Sequence, residues 1–254
     1  MLCRPPNCLH IAEAEKKMFQ GEVFELLPWD SEHFGVSIGR ATGDVNPDRA
    51  IAWARREDLQ CLYLLADRRD VAAVHEAIAA GFTLSDLRVT LEYEVGDDIP
   101  QETGIGIRTM ERADLPALQT IAQSAHIDSR FYADSRFDRG RVADMYRDWL
   151  RGSLLGGLAD WALTAVDDGV PVGYVTGRTE AHGVANIGLL GVADVARRHG
   201  FGRRLIKAFI REASESGCSH VIVSTQAANV LAQRLYQGVG FRTLRTQAWL
   251  HWWA

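Results

Sequence analysis

Arg197-Arg198-His199-Gly200-Phe201-Gly202 gathers two arginines and two glycines into one hexapeptide. An apolar, strand-like segment from Ile187 to Val192 precedes it. After it, Leu205, Ile206, Phe209, Ile210 and Ala213 fall on one face of a helix starting near Arg203. Gly217 ends that helix as a residue able to take the left-handed conformation. A strand, a glycine turn and a helix N-terminus present a cradle of backbone N–H groups suited to phosphate oxygens. Glycine belongs there because a Cβ would block close approach or positive φ. Two other phosphate motifs are excluded. Leu205 stands where Gly-x-Gly-x-x-Gly needs its third glycine, and no Gly-Lys-Ser/Thr follows. The hexapeptide alone leaves a phosphate seat and a plain strand-to-helix turn equally open.

The elements that would position this loop can be read on both sides. His220 to Thr225 is a β-branched strand, Asn229 stands at a helix N-cap, and Val230 to Gln237 is helical. Leu231 and Leu235 share one face of that helix, with Ala232 and Tyr236 beside it. Gly240-Phe241 closes it, and Thr243 to Trp253 is a final strand. Upstream come a strand at Ile105 to Met110, a helix near Asp114 to Ala125 and a charged helix around Arg139 to Arg151. Trp161 to Val166 and Val170 to Thr179 are strands joined by the hairpin signal Asp167-Asp168-Gly169, and Val184 to Val192 feeds the loop. The order is β-α-α-β-β-β-α-β-α-β.

Arg-x-x-Gly-x-Gly after a strand, followed by Asn229, Leu235-Tyr236 and Gly240-Phe241, resembles the GNAT superfamily of N-acetyltransferases over residues 103 to 254. The resemblance implies a mixed α/β (α+β) fold with a central, splayed, largely antiparallel sheet and helices on both faces. It implies acetyl-CoA as co-substrate and direct attack through a tetrahedral intermediate. Pyrophosphate would lie on Arg197, Arg198, Gly200, Phe201, Gly202 and Arg203, and pantetheine along Leu190, Gly191 and Val192. A backbone N–H near Leu190 would stabilise the oxyanion. Tyr236 occupies the family's general-acid position, and a tyrosine hydroxyl stays protonated at neutral pH. Asn229 would orient the co-substrate or cap its helix.

Each role has a plainer competitor. Tyr236 could fill space beside the core, Asn229 could be only a cap, and Arg203, Arg204 and Lys207 could form a solvated face. The base is open. Where many GNAT enzymes carry a carboxylate, this chain has Asn186, with no Asp or Glu between Val184 and Val192. Glu180, His182, His126 and Asp128 are the replacements available.

Leu27-Pro-Trp-Asp-Ser-Glu-His-Phe-Gly-Val-Ser-Ile-Gly-Arg40 and Ser129-Arg-Phe-Tyr-Ala-Asp-Ser-Arg-Phe137 resemble the TDP-fucosamine acetyltransferase family. That resemblance implies an acceptor amine on a nucleotide-linked 4-amino-4,6-dideoxy sugar. Its acceptor contacts would be Trp29, Phe34, Arg130, Phe131 and Tyr132, although Trp29 and Phe34 could equally be packing. Other small amines, such as amino acids or aminoglycosides, and a non-catalytic acyl-CoA-binding module are the alternatives. The resemblance also implies a homodimer. Within the N-terminal half, Cys61 to Ala66, a helix, Gly81-Phe82 and Leu87 to Tyr93 repeat the strand, helix, Gly-Phe, strand order. The interval from Cys61 to Phe82 equals that from His220 to Phe241, which sets Asp70 against Asn229 and Ala77 against Tyr236. The half-repeat shows no phosphate loop. The expected organisation is an extension at 1–20 (with Met18 an alternative start), an α/β region at 21–97, a linker at 98–104 and the acetyltransferase domain at 105–254.

A chain of 254 residues can bury one large or two modest cores. A net charge of −5 argues against a dedicated nucleic-acid binder. Cysteines at 3, 8, 61 and 218 lack metal-site spacing, no His-Glu-x-x-His occurs, and no metal is expected. No stretch approaches 18 apolar residues and residues 1–20 lack a signal-peptide core, so a reduced, cytoplasmic setting without membrane contact is expected.

Overall fold

The computed structural model describes residues 23–67, 70–96 and 106–254. The expected extension at 1–20 and linker at 98–104 lie outside them, as do Cys3 and Cys8. Two compact units form. The first comprises the described residues up to Asp86 together with Gln247–Ala254, and the second is Leu87–Thr246. This division differs from the expected boundaries because two twelve-residue strands pass from one unit to the other. They are β4 (Thr83–Glu94) and β10 (Arg242–Trp253).

In the first unit β1 (Val23–Leu26), β2 (Ile38–Thr42) and β3 (Cys61–Asp67) lie side by side, with β10 from Gln247 onward along β3. The β2–β3 pair is parallel; the other two are antiparallel. Helices α1 (Pro28–Phe34), α2 (Pro47–Arg56) and α3 (Val71–Ala79) intervene. The central strand β3 is buried from Cys61 to Ala66, which fits its unbroken apolar run.

The second unit runs β5 (Ile107–Thr109), α4 (Leu115–Ala125), α5 (Arg130–Ala133), α6 (Arg139–Leu155), β6 (Trp161–Asp167), β7 (Val170–Glu180) and β8 (Val184–Val192). It continues through α7 (Phe201–Glu215), β9 (His220–Gln226) and α8 (Val230–Val239). Besides short 3-10 turns, the short α5 is the addition to the expected order. Within this unit the strand order is β4-β9-β8-β7-β6-β5, parallel only between β8 and β9. The β6–β7 turn places both Asp168 and Gly169 at positive φ, as a two-residue hairpin requires. α7 starts at Phe201, two residues before the expected Arg203, because left-handed Gly200 caps it.

Strand alternation decides which helix meets which face. On β7, Val175 joins the core formed with Leu205, Ile206 and Phe209 of α7. Its neighbour Tyr174 points the other way, toward His126 at the end of α4. Gly177 again faces α7, where a Cβ would stand 2.5 Å from the Phe209 ring. Helices therefore cover both faces. The polar face carries Arg88, Thr90 and Ser224 of β4 and β9, joined by Arg88 Nε donating to Ser224 Oγ at 2.9 Å.

Candidate active site

The arginine-glycine loop is a left-handed turn against an open helix end. After β8 a short 3-10 turn, Asp194–Ala196, leads to Arg198 at φ 66° and Gly200 at φ 81°. No side chain caps α7, so the N–H groups of Phe201, Gly202 and Arg203 start the helix without intrahelical acceptors. A Cβ at Gly200 would meet nothing within 4 Å, so the space before the helix is open. An anion such as a pyrophosphate fits this cradle on both counts. Gly202 serves packing as well: its Cβ would lie 3.0 Å from Leu235 Cδ2, so α8 approaches α7 there. The expected cationic rim is partly committed. Arg197 pairs with Asp194 at 2.8 Å, and the Arg203 guanidinium donates to the Gly238 carbonyl. Arg198 is exposed.

The sheet opens beside this loop. β8 pairs with β9 only from Val184 to Ile187, yet stays on β7 through Val192. The stretch Gly188 to Val192, which includes the expected Leu190, Gly191 and Val192, has no register partner on β9. Gly191 makes room for the buried Tyr174, whose ring would stand 2.7 Å from a Cβ. Asn229 caps α8, its side chain accepting from Ala232 N at 3.0 Å. One helical stretch later, Tyr236 is buried in the core shared with Phe201 and Leu205, its ring 5.5 Å from Phe241. Burial pushes its hydroxyl above the usual phenol range, so it holds its proton.

A cavity of about 390 Å³ lies on the polar face of the same sheet. Trp149, Ser153 and Leu158 line it on the α6 side, and Thr176, Gly177, Arg178, Asn186, Gly188 and Leu189 line it on β7 and β8. A bulge makes its floor. Thr176 pairs with Leu189 and Gly177 with Ile187, leaving Gly188 as the extra residue. Of these nine residues only Asn186 was singled out from the sequence. The missed signal was Gly177 and Gly188, glycines interrupting strand patterns, which mark bulges.

The other expected residues scatter. Phe131, expected as an acceptor contact, is buried and packs edge-on to Phe137 at 5.5 Å and to Trp149 at 6.2 Å. Phe34 is likewise buried, in the first unit. Both sit where an aromatic with no polar atom gains more from packing than from solvent. Trp29 keeps exposed surface and stacks on His33 at 4.9 Å. Arg130 lies over the Phe131 ring, and half-buried Tyr132 donates from its hydroxyl to the Gln123 carbonyl at 3.4 Å. Among the base candidates, Asp128 and His182 are exposed. His126 is tied up: its Nε2 sits 2.9 Å from the Tyr174 hydroxyl, its ring stacks on Tyr146, and burial pushes it down to about 4. Glu180 accepts from Arg178 and Asn186. Among the described residues no cluster of His, Cys, Asp or Glu could hold a metal. No helix there is long and apolar enough to cross a membrane.

Residues 120–241 match the sequence model of the acetyltransferase (GNAT) family. The chain carries a GNAT acetyltransferase domain. The match contains the cradle, the splayed end of β8 and Tyr236, so the residues singled out for donor binding belong to this domain. Over 237 residues the chain is 27% identical to dTDP-fucosamine acetyltransferase of Escherichia coli O6:H1, covering 89% of this chain and 96% of the relative. It is 22% identical to spore coat polysaccharide biosynthesis protein SpsD of Bacillus subtilis, covering 78% and 68%. In fold it is similar to a GCN5-related N-acetyltransferase from Sphaerobacter thermophilus, with TM-score 0.64, 17% identity and coverage of 90% and 75%. A second such protein, from Kribbella flavida, gives TM-score 0.60 at 20% identity, with 95% and 94% covered.

Proposed function

We propose that this chain transfers an acetyl group from acetyl-CoA to the amine of a nucleotide-linked amino-deoxy sugar. One observation carries the acceptor class. Similarity to the dTDP-fucosamine enzyme does not stop at the GNAT domain but spans 89% of the chain, the first unit included. The sequence model of the family, by contrast, matches only residues 120–241.

Acetyl-CoA, when bound, supplies a thioester carbonyl open to a neutral amine and a sulfur that leaves. The N–H groups of Phe201, Gly202 and Arg203, with Arg198 at the rim, hold its pyrophosphate. The unpaired edge of β8 at Leu190 to Val192 hydrogen-bonds its pantetheine amides as an added strand would. A backbone N–H near Leu190 takes up charge developing on the carbonyl oxygen. Tyr236 gives its proton to the departing sulfur, and Asn229 fixes the start of the helix that carries it. Arg130 and Tyr132, beside the cavity-lining helix, are the acceptor-side contacts of the second unit.

The test is a panel assay with acetyl-CoA. dTDP-4-amino-4,6-dideoxygalactose, glucosamine, amino acids and an aminoglycoside are each incubated with the protein, and acetylated product is followed by mass spectrometry. Product from the sugar nucleotide alone is expected. Product confined to amino acids or aminoglycosides overturns the acceptor class. Acetyl-CoA binding without acetylation of any amine leaves a binding module.

A further inference from the structure

The cavity floor holds an arrangement that none of the donor-side roles uses. Asn186 is half-buried on the cavity wall, and its Nδ2 donates to Glu180 Oε1 at 3.3 Å. The same carboxylate oxygen accepts from Arg178 Nε at 3.0 Å. A carboxylate only accepts, so the nitrogen of the Asn186 amide has to be the atom turned to it. The amide oxygen Oδ1 is then the Asn186 atom left for the cavity. Arg178 in turn holds Glu180, and Arg178 and Asn186 are direct cross-strand partners. A chain of three side chains thus fixes one acceptor atom beside the bulge at Gly188, where the sheet opens.

We propose that Asn186 Oδ1 receives an N–H of the acceptor amine, and that Glu180 is the positioning residue that holds the amide in this orientation. The proposal deepens the amine-acetylation reading and rests on it. Charge supports a neutral acceptor over a base. No cavity-lining residue carries negative charge, and the lining cation, Arg178, is balanced by Glu180. A carboxylate at 186 would hold the amine as ammonium, which has no lone pair to attack with. The amide oxygen accepts a hydrogen bond without paying the amine to keep its extra proton, so the ammonium proton goes to water before attack. The other charged groups near this row are accounted for. On β4, Glu92 shares the row through Ile222. On β9, His220 pairs with Val184, two residues along. Asp160 Oδ2 accepts from Thr179 N at 2.7 Å, His182 is exposed in the β7–β8 turn, and from the α6 side the lining residues Trp149, Ser153 and Leu158 are uncharged.

The experiment measures steady-state kinetics with acetyl-CoA and dTDP-4-amino-4,6-dideoxygalactose, or with whichever panel amine the wild type acetylates. Asn186→Ala and Glu180→Ala are each expected to raise acceptor KM about ten-fold with acetyl-CoA KM unchanged. Glu180→Gln keeps a carbonyl oxygen for Asn186 Nδ2 and restores most of the loss. Asn186→Asp moves the rising limb of the kcat/KM profile to higher pH, because a neighbouring anion stabilises ammonium. The proposal is overturned if Asn186→Ala leaves KM unchanged. It is also overturned if Glu180→Gln is as damaged as Glu180→Ala and loses its acidic limb, which makes Glu180 the base. A limb that moves down in Asn186→Asp has the same force. A separate readout does not depend on the acceptor: the Asn186 side-chain amide resonance shifts in Glu180→Ala if the hydrogen bond exists and stays put if it does not. A wild type that acetylates amines other than sugar nucleotides defeats the acceptor class and leaves these variants decisive; one that acetylates no amine overturns both.

Discussion

Replacing the Tyr236 hydroxyl by hydrogen removes a proton donor and leaves the ring that packs 5.5 Å from Phe241. Tyr236→Phe is therefore expected to lose about a hundred-fold or more in kcat while binding acetyl-CoA with unchanged affinity in calorimetry. An equal loss of affinity points to packing instead. Burial raises the hydroxyl's pKa, so its proton is held above the ordinary phenol value of about 10. No alkaline fall in kcat is expected below about pH 10, and a fall centred near pH 9 contradicts the acid role. His126 gives the opposite kind of pH signal. Burial brings it down to about 4 in the folded state. Between that value and an unfolded value of about 6.5, the unfolded chain binds more protons. Its contribution to stability is complete above about pH 6.5 and fades on acidification, by about 3 kcal/mol at pH 4. Urea midpoints at pH 7 and pH 4.5 check this, with His126→Gln losing less than wild type between them.

Two glycines separate strain in the cradle from crowding in the sheet. At Gly177 a Cβ would stand 2.3 Å from the Asn186 carbonyl oxygen and 2.5 Å from the Phe209 ring. Backbone cannot yield there, so Gly177→Ala is expected to cost about 3 kcal/mol. At Gly200 nothing obstructs, and only the left-handed φ of 81° is penalised. Gly200→Ala is expected to cost about 1 kcal/mol. Urea unfolding of both variants checks the order, and a larger loss at Gly200 contradicts it. The same contrast explains what could be read from sequence. The donor side was legible because it is local. Gly200, Asn229 and Gly240 each impose a backbone conformation or a cap on the residues next to them, and the order of elements follows from such signals. The cavity was not, because Trp149, Thr176 and Gly188 meet only through register. The bulge at Thr176/Gly177 is marked in sequence only by the strand glycines Gly177 and Gly188, and which residues it brings together depends on the register across strands. The burial of Phe131 was not legible for a related reason. Its partner Phe137 lies in the bend after its own helix and Trp149 in the next helix, and the spacing within Ser129 to Phe137 does not show that these rings meet.

The two units repeat more fully than the sequence suggested, and the repeat explains why one chain should bind one donor. In the N-terminal half, parallel β2 and β3 flank α2, followed by α3 and β4; in the C-terminal half, parallel β8 and β9 flank α7, followed by α8 and β10. Asp70 caps α3 by accepting from Ala73 N at 2.9 Å, as Asn229 caps α8. Gly81 and Gly240 are both left-handed, and Phe82 and Phe241 are both buried behind them. Three things differ. α2 is capped by the Asn46 side chain, which takes Arg49 N at 3.1 Å, and its first residue, Pro47, has no N–H to offer. β2 stays paired with β3 along its whole length from Ile38 to Thr42, so no strand edge opens. Ala77 stands in the register of Tyr236 and has no proton to give. On the donor roles proposed above, the first unit keeps the same architecture with its helix end capped, its sheet unsplayed and no tyrosine in the register of Tyr236. Titration of acetyl-CoA into the protein in a calorimeter is expected to give one site per chain. Gly200→Asp, which sets a carboxylate where the pyrophosphate belongs, is expected to abolish that site and leave no residual binding. A second binding event, or binding that survives Gly200→Asp, means that the first unit also holds donor and that closure of its helix end is not what distinguishes the two.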